Sequence, residues 1–178
     1  MPFLTPNQLR DLGLKSFGEN VLISDKASIY SPHLISIGSQ VRIDDFCILS
    51  GEITLGSYIH IGAYCGLYGK FGILMDDFTG LSPRCTLFSA SDDFGGDYLI
   101  SPMVPDEFTN VTGGLIHIQK YVQIGANTVV LPKVTIAEGV SVGAMSLVKR
   151  NLEAWGIYAG APTQRIKERK KGCLNYIL

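Results

Sequence analysis

From Ile118 to Leu152 the chain repeats every six residues. Ile118, Ile124, Val130, Ile136, Val142 and Val148 head successive hexads, and Val122, Thr128, Val134, Val140, Ser146 and Leu152 fill the fifth position. A helix repeats near 3.6 residues and a strand near 2, so neither explains a strict period of six. A coil of short parallel strands joined by turns does, with the heading residue of each hexad turned inward. This constrains the chain to a parallel β-helix before composition is considered. Ile61, Ile124, Val130, Ile136 and Val142 are therefore expected to be core residues.

The same phase runs upstream through Ile37, Ile43, Leu49, Leu55, Ile61, Leu67, Ile73, Thr79 and Cys85. Its fifth positions are Val41, Cys47, Ile53, Ile59, Cys65, Phe71, Asp77, Pro83 and Ser89. Ile23 and Ile29 are also six apart, after which Ser31-Pro32 add two residues. Polar residues enter the inward positions late in the run, which implies a region modified for something other than packing. From Cys85 to Thr112 the spacing is not a multiple of six, so the chain leaves the coil at about 90–111 and returns. The aromatics and Met103 of that loop predict packing against another surface.

The expected organisation is a lead-in at 1–20, a coil at 21–152 carrying the loop, and a C-terminal cap at 153–178. Thr5-Pro6-Asn7-Gln8 reads as a capped helix start, with Gly13 ending the helix. Trp155 and Tyr158 are placed to cover the open end of the coil. Pro162 then opens a basic helix containing Arg165, Lys167, Arg169, Lys170 and Lys171, ended by Gly172.

In 178 residues the chain carries 20 glycines, which fit many tight turns, and a net charge of −1, which argues against a nucleic-acid partner. No apolar run approaches ~18 residues and no signal peptide opens the chain, so a cytoplasmic protein without a transmembrane segment is expected. Cys47, Cys65, Cys85 and Cys173 form no CxxC pair, so no metal site is expected and the cysteines read as small buried hydrophobes.

Three stretches carry a family resemblance: Ile124-Gly-Ala-Asn-Thr-Val-Val-Leu-Pro, Val142-Gly-Ala-Met-Ser-Leu-Val-Lys-Arg and Tyr158-Ala-Gly-Ala-Pro-Thr-Gln-Arg-Ile-Lys. With them, most of residues 21–170 resembles the hexapeptide-repeat acyltransferases, both the maltose/galactoside O-acetyltransferases and the nucleotide-amino-sugar N-acetyltransferases. The resemblance implies an all-β, left-handed parallel β-helix with a long mid-chain loop and short terminal helices. It also implies a homotrimer with acetyl-CoA as co-substrate in the cleft between neighbouring coils. The implied reaction is acetyl transfer to a sugar amine or hydroxyl, on a nucleotide-linked amino sugar or a polysaccharide or O-antigen precursor. The alternative from another class is a non-catalytic β-helix scaffold or binding protein.

By those motifs, Gly125, Ala126, Gly143 and Ala144 lie along the CoA arm, where small residues admit a ligand to the backbone. Lys149 and Arg150 fall at CoA-contacting positions. Gln164 and Lys167 replace two positions that are often arginine, and Arg165 stands beside them as a further phosphate-binding cation. Galactoside-type relatives carry a catalytic histidine in an Asn/Gly-His-Pro motif where the loop leaves the coil. Here that stretch reads Ser91-Asp92-Asp93-Phe94. Asp92 and Asp93 are the candidates to orient the acceptor or take its proton. His60 and His117 each precede a heading isoleucine and so point outward, and His117 is the candidate base. His33 reads as a surface residue.

Overall fold

The computed structural model describes residues 2–176. It begins with the helix Pro6–Asp11, capped by Thr5 as expected: the Thr5 hydroxyl accepts from the Gln8 N–H, and the Gln8 side chain accepts from the Thr5 N–H. Leu9 seats the helix on the coil end.

The coil is a three-sided parallel β-helix. Face A stacks Ser28–Tyr30, the first half of Ile48–Leu55, the first half of Gly66–Met75, Thr86–Phe88, Val129–Val130 and Leu147–Val148. Face B stacks Ser16–Phe17, Ile35–Ile37, the second halves of the two long strands, Ile116–Ile118 and Thr135–Ile136. Face C runs through Leu22–Ile23, Val41–Ile43, Ile59–Ile61, Gly80–Leu81, Gln123–Ile124, Ser141–Val142 and Gly156–Ala159. The hexad heads form continuous buried columns, and Ile61, Ile124, Val130, Ile136 and Val142 are all at most 2% exposed. Each strand contributes one or two inward side chains, so stability comes from stacking one coil on the next.

The sequence phase holds to Leu67 and then fails. Gly51 pairs with Gly69 and Ile53 with Ile73, so four steps in one coil face two in the coil below. Two residues are inserted at Gly69–Gly72, on the edge between faces A and B. The true heading residues are therefore Met75, Leu81 and Leu87, which pair with Leu55, Ile61 and Leu67. Asp77 and Pro83 sit at corners, not inside. The apparent weakening of the repeat was a shift of register, not a loss of core packing. Cys85 accordingly joins Cys47 and Cys65 in one inward column, where each thiol donates to a corner carbonyl: Cys47 to Gly62, Cys65 to Ser82 and Cys85 to Gly125, at 3.1–3.2 Å.

At the corners many non-glycine residues adopt positive φ, among them Tyr58, Phe78, Tyr121 and Trp155. Their rings stack along the edge between faces B and C, with centroids 4.7 to 6.4 Å apart, which offsets backbone strain of the order of ~1 kcal/mol per residue.

The expected basic C-terminal helix is corrected by the structure. Gln164–Glu168 is a strand, antiparallel to Gly156–Ala159, and a short 3-10 turn follows at Gly172–Tyr176. The last strand of face C leaves an edge of unpaired backbone, and pairing that edge outweighs a weak helical preference. Trp155 and Tyr158 are buried at this end, as expected. Arg169 completes the cover by donating to the carbonyls of Tyr121, Gly139 and Val140.

Candidate active site

The chain departs from face A through Ala90–Ser91 and returns through Thr112–Gly113, and these two pieces pair antiparallel to close the neck of the loop. Within the loop the two aspartates differ. Asp93 accepts from the N–H groups of Gly95, Asp97 and Tyr98, each at 2.8 Å. These N–H groups, Gly95 and Tyr98 foremost, hold its carboxyl below the usual carboxylate range. A carboxylate so occupied is a weaker base and a turn-former. Asp92 is exposed, and its carboxylate has no partner among the described residues. It lines a recess of about 540 Å3 together with Tyr68, Lys70 and the loop residues Ser101 and Asp106.

His117 points outward from face B, as the alternation required, and is half-buried. Its Nε2 lies 3.0 Å from Asp76 Oδ2. The Asp92 recess takes its walls from face A, the A–B edge and the loop, so it does not include His117. Within one chain His117 stands on face B, outside the recess that Asp92 lines.

Gly125-Ala126 and Gly143-Ala144 are stacked corners on the edge between faces C and A. A methyl added at Gly125 would lie 2.5 Å from the Ala144 N, so coil stacking alone already demands glycine there. Lys149 and Arg150 lie on the opposite edge of face A, on the coil two above the loop neck, exposed and without ion pairs among the described residues. Arg165 and Lys167 lie on the terminal strand bordering face C, and Arg165 is paired with Glu168. One chain therefore brings the small-residue corners and Lys149-Arg150 to the two borders of face A, and places Arg165 and Lys167 elsewhere.

Face C carries a larger recess, of about 670 Å3, lined by Arg42, His60, Gly80 and Gln123. Its charged groups are already matched: Asp44 Oδ2 lies 2.8 Å from His60 Nε2, and Asp44 Oδ1 accepts from Arg42 Nε at 2.7 Å. Burial pushes the Asp44 carboxyl up, but the hydrogen bonds and charge of His60 and Arg42 more than offset this, leaving it below its ordinary value. A depressed folded-state pKa stabilises the fold above the unfolded value, about 4, and the gain is lost as pH falls through the folded value. Asp44→Asn is therefore expected to lower the melting temperature at pH 7, with the gap to the wild type narrowing as pH falls below about 4 and closing only below the depressed folded-state value. A gap that does not narrow at all as pH falls would mean that the loss is one of packing.

Sequence reasoning missed Tyr68, Lys70 and Asp106. The spacing carries a signal for Lys70: Leu67 to Met75 spans eight residues, as Ile29 to Ile37 does.

The model of the bacterial transferase hexapeptide family, six repeats, matches residues 116–150. A dTDP-4-amino-4,6-dideoxy-D-glucose acyltransferase from Escherichia coli is 44% identical over 177 residues, covering 98% of this chain and 92% of the relative. AntD, an N-acyltransferase from Bacillus cereus, superposes with a TM-score of 0.96 at 50% identity, over 98% of this chain and 94% of that one; this is a serine-to-alanine variant in complex with dTDP-4-amino-4,6-dideoxyglucose and coenzyme A. AntD with dTDP and 3-hydroxybutyryl-CoA gives a TM-score of 0.95 at 50% identity, over 98% and 93%.

Proposed function

The chain belongs to the bacterial hexapeptide-repeat transferases, and from that membership we propose that it moves an acyl group from acyl-CoA to the amine of a dTDP-linked 4-amino-4,6-dideoxy sugar. The observation that carries this reading is the 44% identity to the Escherichia coli acyltransferase across almost the whole of both chains. Acetyl-CoA is the proposed donor, and the setting is cytoplasmic polysaccharide or O-antigen precursor synthesis. Release of free CoA thiol from acetyl-CoA in the presence of dTDP-4-amino-4,6-dideoxyglucose tests it, with 3-hydroxybutyryl-CoA as a second donor. Absence of turnover with either donor would defeat the reading.

The reaction needs a neutral amine nitrogen to attack the thioester carbonyl, a proton to leave that nitrogen, and the CoA thiolate to depart. Asp92 is the proposed acceptor-side carboxylate, because it has no partner among the described residues and lines a recess. Asp93 supports it by holding the turn, and His117 joins it only if a neighbouring subunit brings the two together. Gly125, Ala126, Gly143 and Ala144 are proposed to flank the pantetheine arm, with Lys149 and Arg150 on its phosphates and Arg165 and Lys167 as outlying cations. Lys149→Ala combined with Arg150→Ala is expected to raise the KM for acetyl-CoA about tenfold or more with little change in kcat, because phosphates remote from the thioester contribute uniform binding. A large fall in kcat at unchanged KM would remove both residues from the donor site.

The active unit is proposed to be a homotrimer. Phe94 is 87% exposed and Met103 89% exposed on the loop, which also exposes Leu99 and Ile100. A loop that exposes this many large apolar groups needs cover, and a second coil supplies it. Light scattering is expected to give a trimer mass, and a fully active monomer would overturn this assembly.

A further inference from the structure

We propose that the insertion at Gly69–Gly72 makes Lys70 the anchor for the diphosphate of the nucleotide sugar, opposite the carboxylates that receive its amine. This inference rests on the acceptor class proposed above. The coil itself does not need the insertion, since the coil below turns the same corner without it. It also requires a backbone that side chains avoid, with Gly72 at φ +93°. What the insertion serves lies at the neck of the loop. The Phe71 N–H donates to Ser89 Oγ at 2.8 Å. The Phe71 ring lies so close to Gly113 that a methyl there would collide with it. Phe71, still 41% exposed, thereby lies against the strand pair that closes the loop, and the adjacent Lys70 lines the recess that also holds Asp92 and Asp106.

Lys70 is exposed and makes no ion pair with either acid or with any other described residue. The recess is therefore bipolar, with a cation from the coil edge and two carboxylates from the loop. A 4-amino sugar nucleotide is bipolar in the same way. Its diphosphate leaves C1 and its amine stands on C4, at opposite ends of one pyranose ring. Carboxylates alone would attract the amine and repel the diphosphate, and one lysine removes that conflict. The ammonium is a compact charge suited to phosphate oxygens. Coils stack at about 4.8 Å, so Lys133 lies roughly 10 Å further along this edge, and Lys149 and Arg150 further still, nearer the proposed donor phosphates. Lys70 thus makes the site prefer a nucleotide-linked amino sugar to a free one.

The test compares Lys70→Met and Lys70→Arg with the wild type, using dTDP-4-amino-4,6-dideoxyglucose and acetyl-CoA. Lys70→Met is expected to raise the acceptor KM at least about tenfold, with kcat and the KM for acetyl-CoA within about threefold; Lys70→Arg is expected to restore most of the loss. Calorimetry with dTDP alone is expected to show a matching loss of affinity. An unchanged acceptor KM and dTDP affinity in folded Lys70→Met protein would overturn the anchor while leaving the acceptor class standing. A rise confined to the KM for acetyl-CoA would also overturn it, by moving Lys70 to the donor. If the wild type itself fails to turn over the nucleotide sugar, the acceptor reading and the anchor fall together.

Discussion

Replacing Asp92 with asparagine is expected to lower kcat/KM by roughly 10²-fold or more while shifting the melting temperature by no more than about 2 °C. The carboxylate is exposed and has no partner among the described residues, so the fold loses little without its charge. Asparagine keeps the shape and one acceptor oxygen but cannot stabilise the positive charge that grows on nitrogen as it attacks, or take its proton. The loss should therefore fall mainly on kcat. Two further substitutions make the result specific. Asp93→Asn weakens a turn built on three backbone donors, and should show first as faster proteolysis of the loop. His117→Ala should cost less than about tenfold, under about 1.4 kcal/mol, because Asp76 holds its Nε2 and the Asp92 recess does not include it. If His117→Ala proves the crippling change and Asp92→Asn the mild one, the reacting centre lies at a subunit boundary on face B. If both are mild, the amine binds already neutral, and kcat/KM should rise with pH along the titration of the substrate amine.

Val130→Asp is expected to abolish folding. Val130 is fully buried between Leu87 in the coil below and Val148 in the coil above. No side chain in that column can accept or neutralise a carboxylate. An unpaired buried charge costs several kcal/mol, against a total stability of about 5–15 kcal/mol. Because each coil rests on its neighbours, the defect interrupts the stack instead of remaining local. Val129→Thr, on the outward side of the same strand, is the control and should fold normally. A soluble, cooperatively melting Val130→Asp protein would mean that the heading residues do not form the core.

The two expected results rest on different kinds of information. The core was legible because an inward column writes the same demand into every sixth residue, and Val130 or Ile136 needs no partner identified in advance. The helix at Pro6–Asp11 was legible for a similar reason: its capping box is local. Register across the Gly69–Gly72 insertion was not, because periodicity counts residues and cannot tell an added pair at a corner from polar residues turning inward. Only the pairing of Ile53 with Ile73 separates the two. The terminal strand was hidden in the same way, since a basic run is a reasonable helix until an unpaired sheet edge lies beside it. The sequence placed two aspartates where the loop leaves the coil, and it could not distinguish them. That distinction depends on which carboxylate meets the N–H groups of Gly95, Asp97 and Tyr98 after the loop has turned. Composition and spacing alone determined the solenoid and its core, because these depend on a periodic, one-residue property. The tertiary structure decided that Asp92 has no partner among the described residues and shares a recess with Lys70, because that depends on where a two-residue corner insertion and a returning loop meet in space.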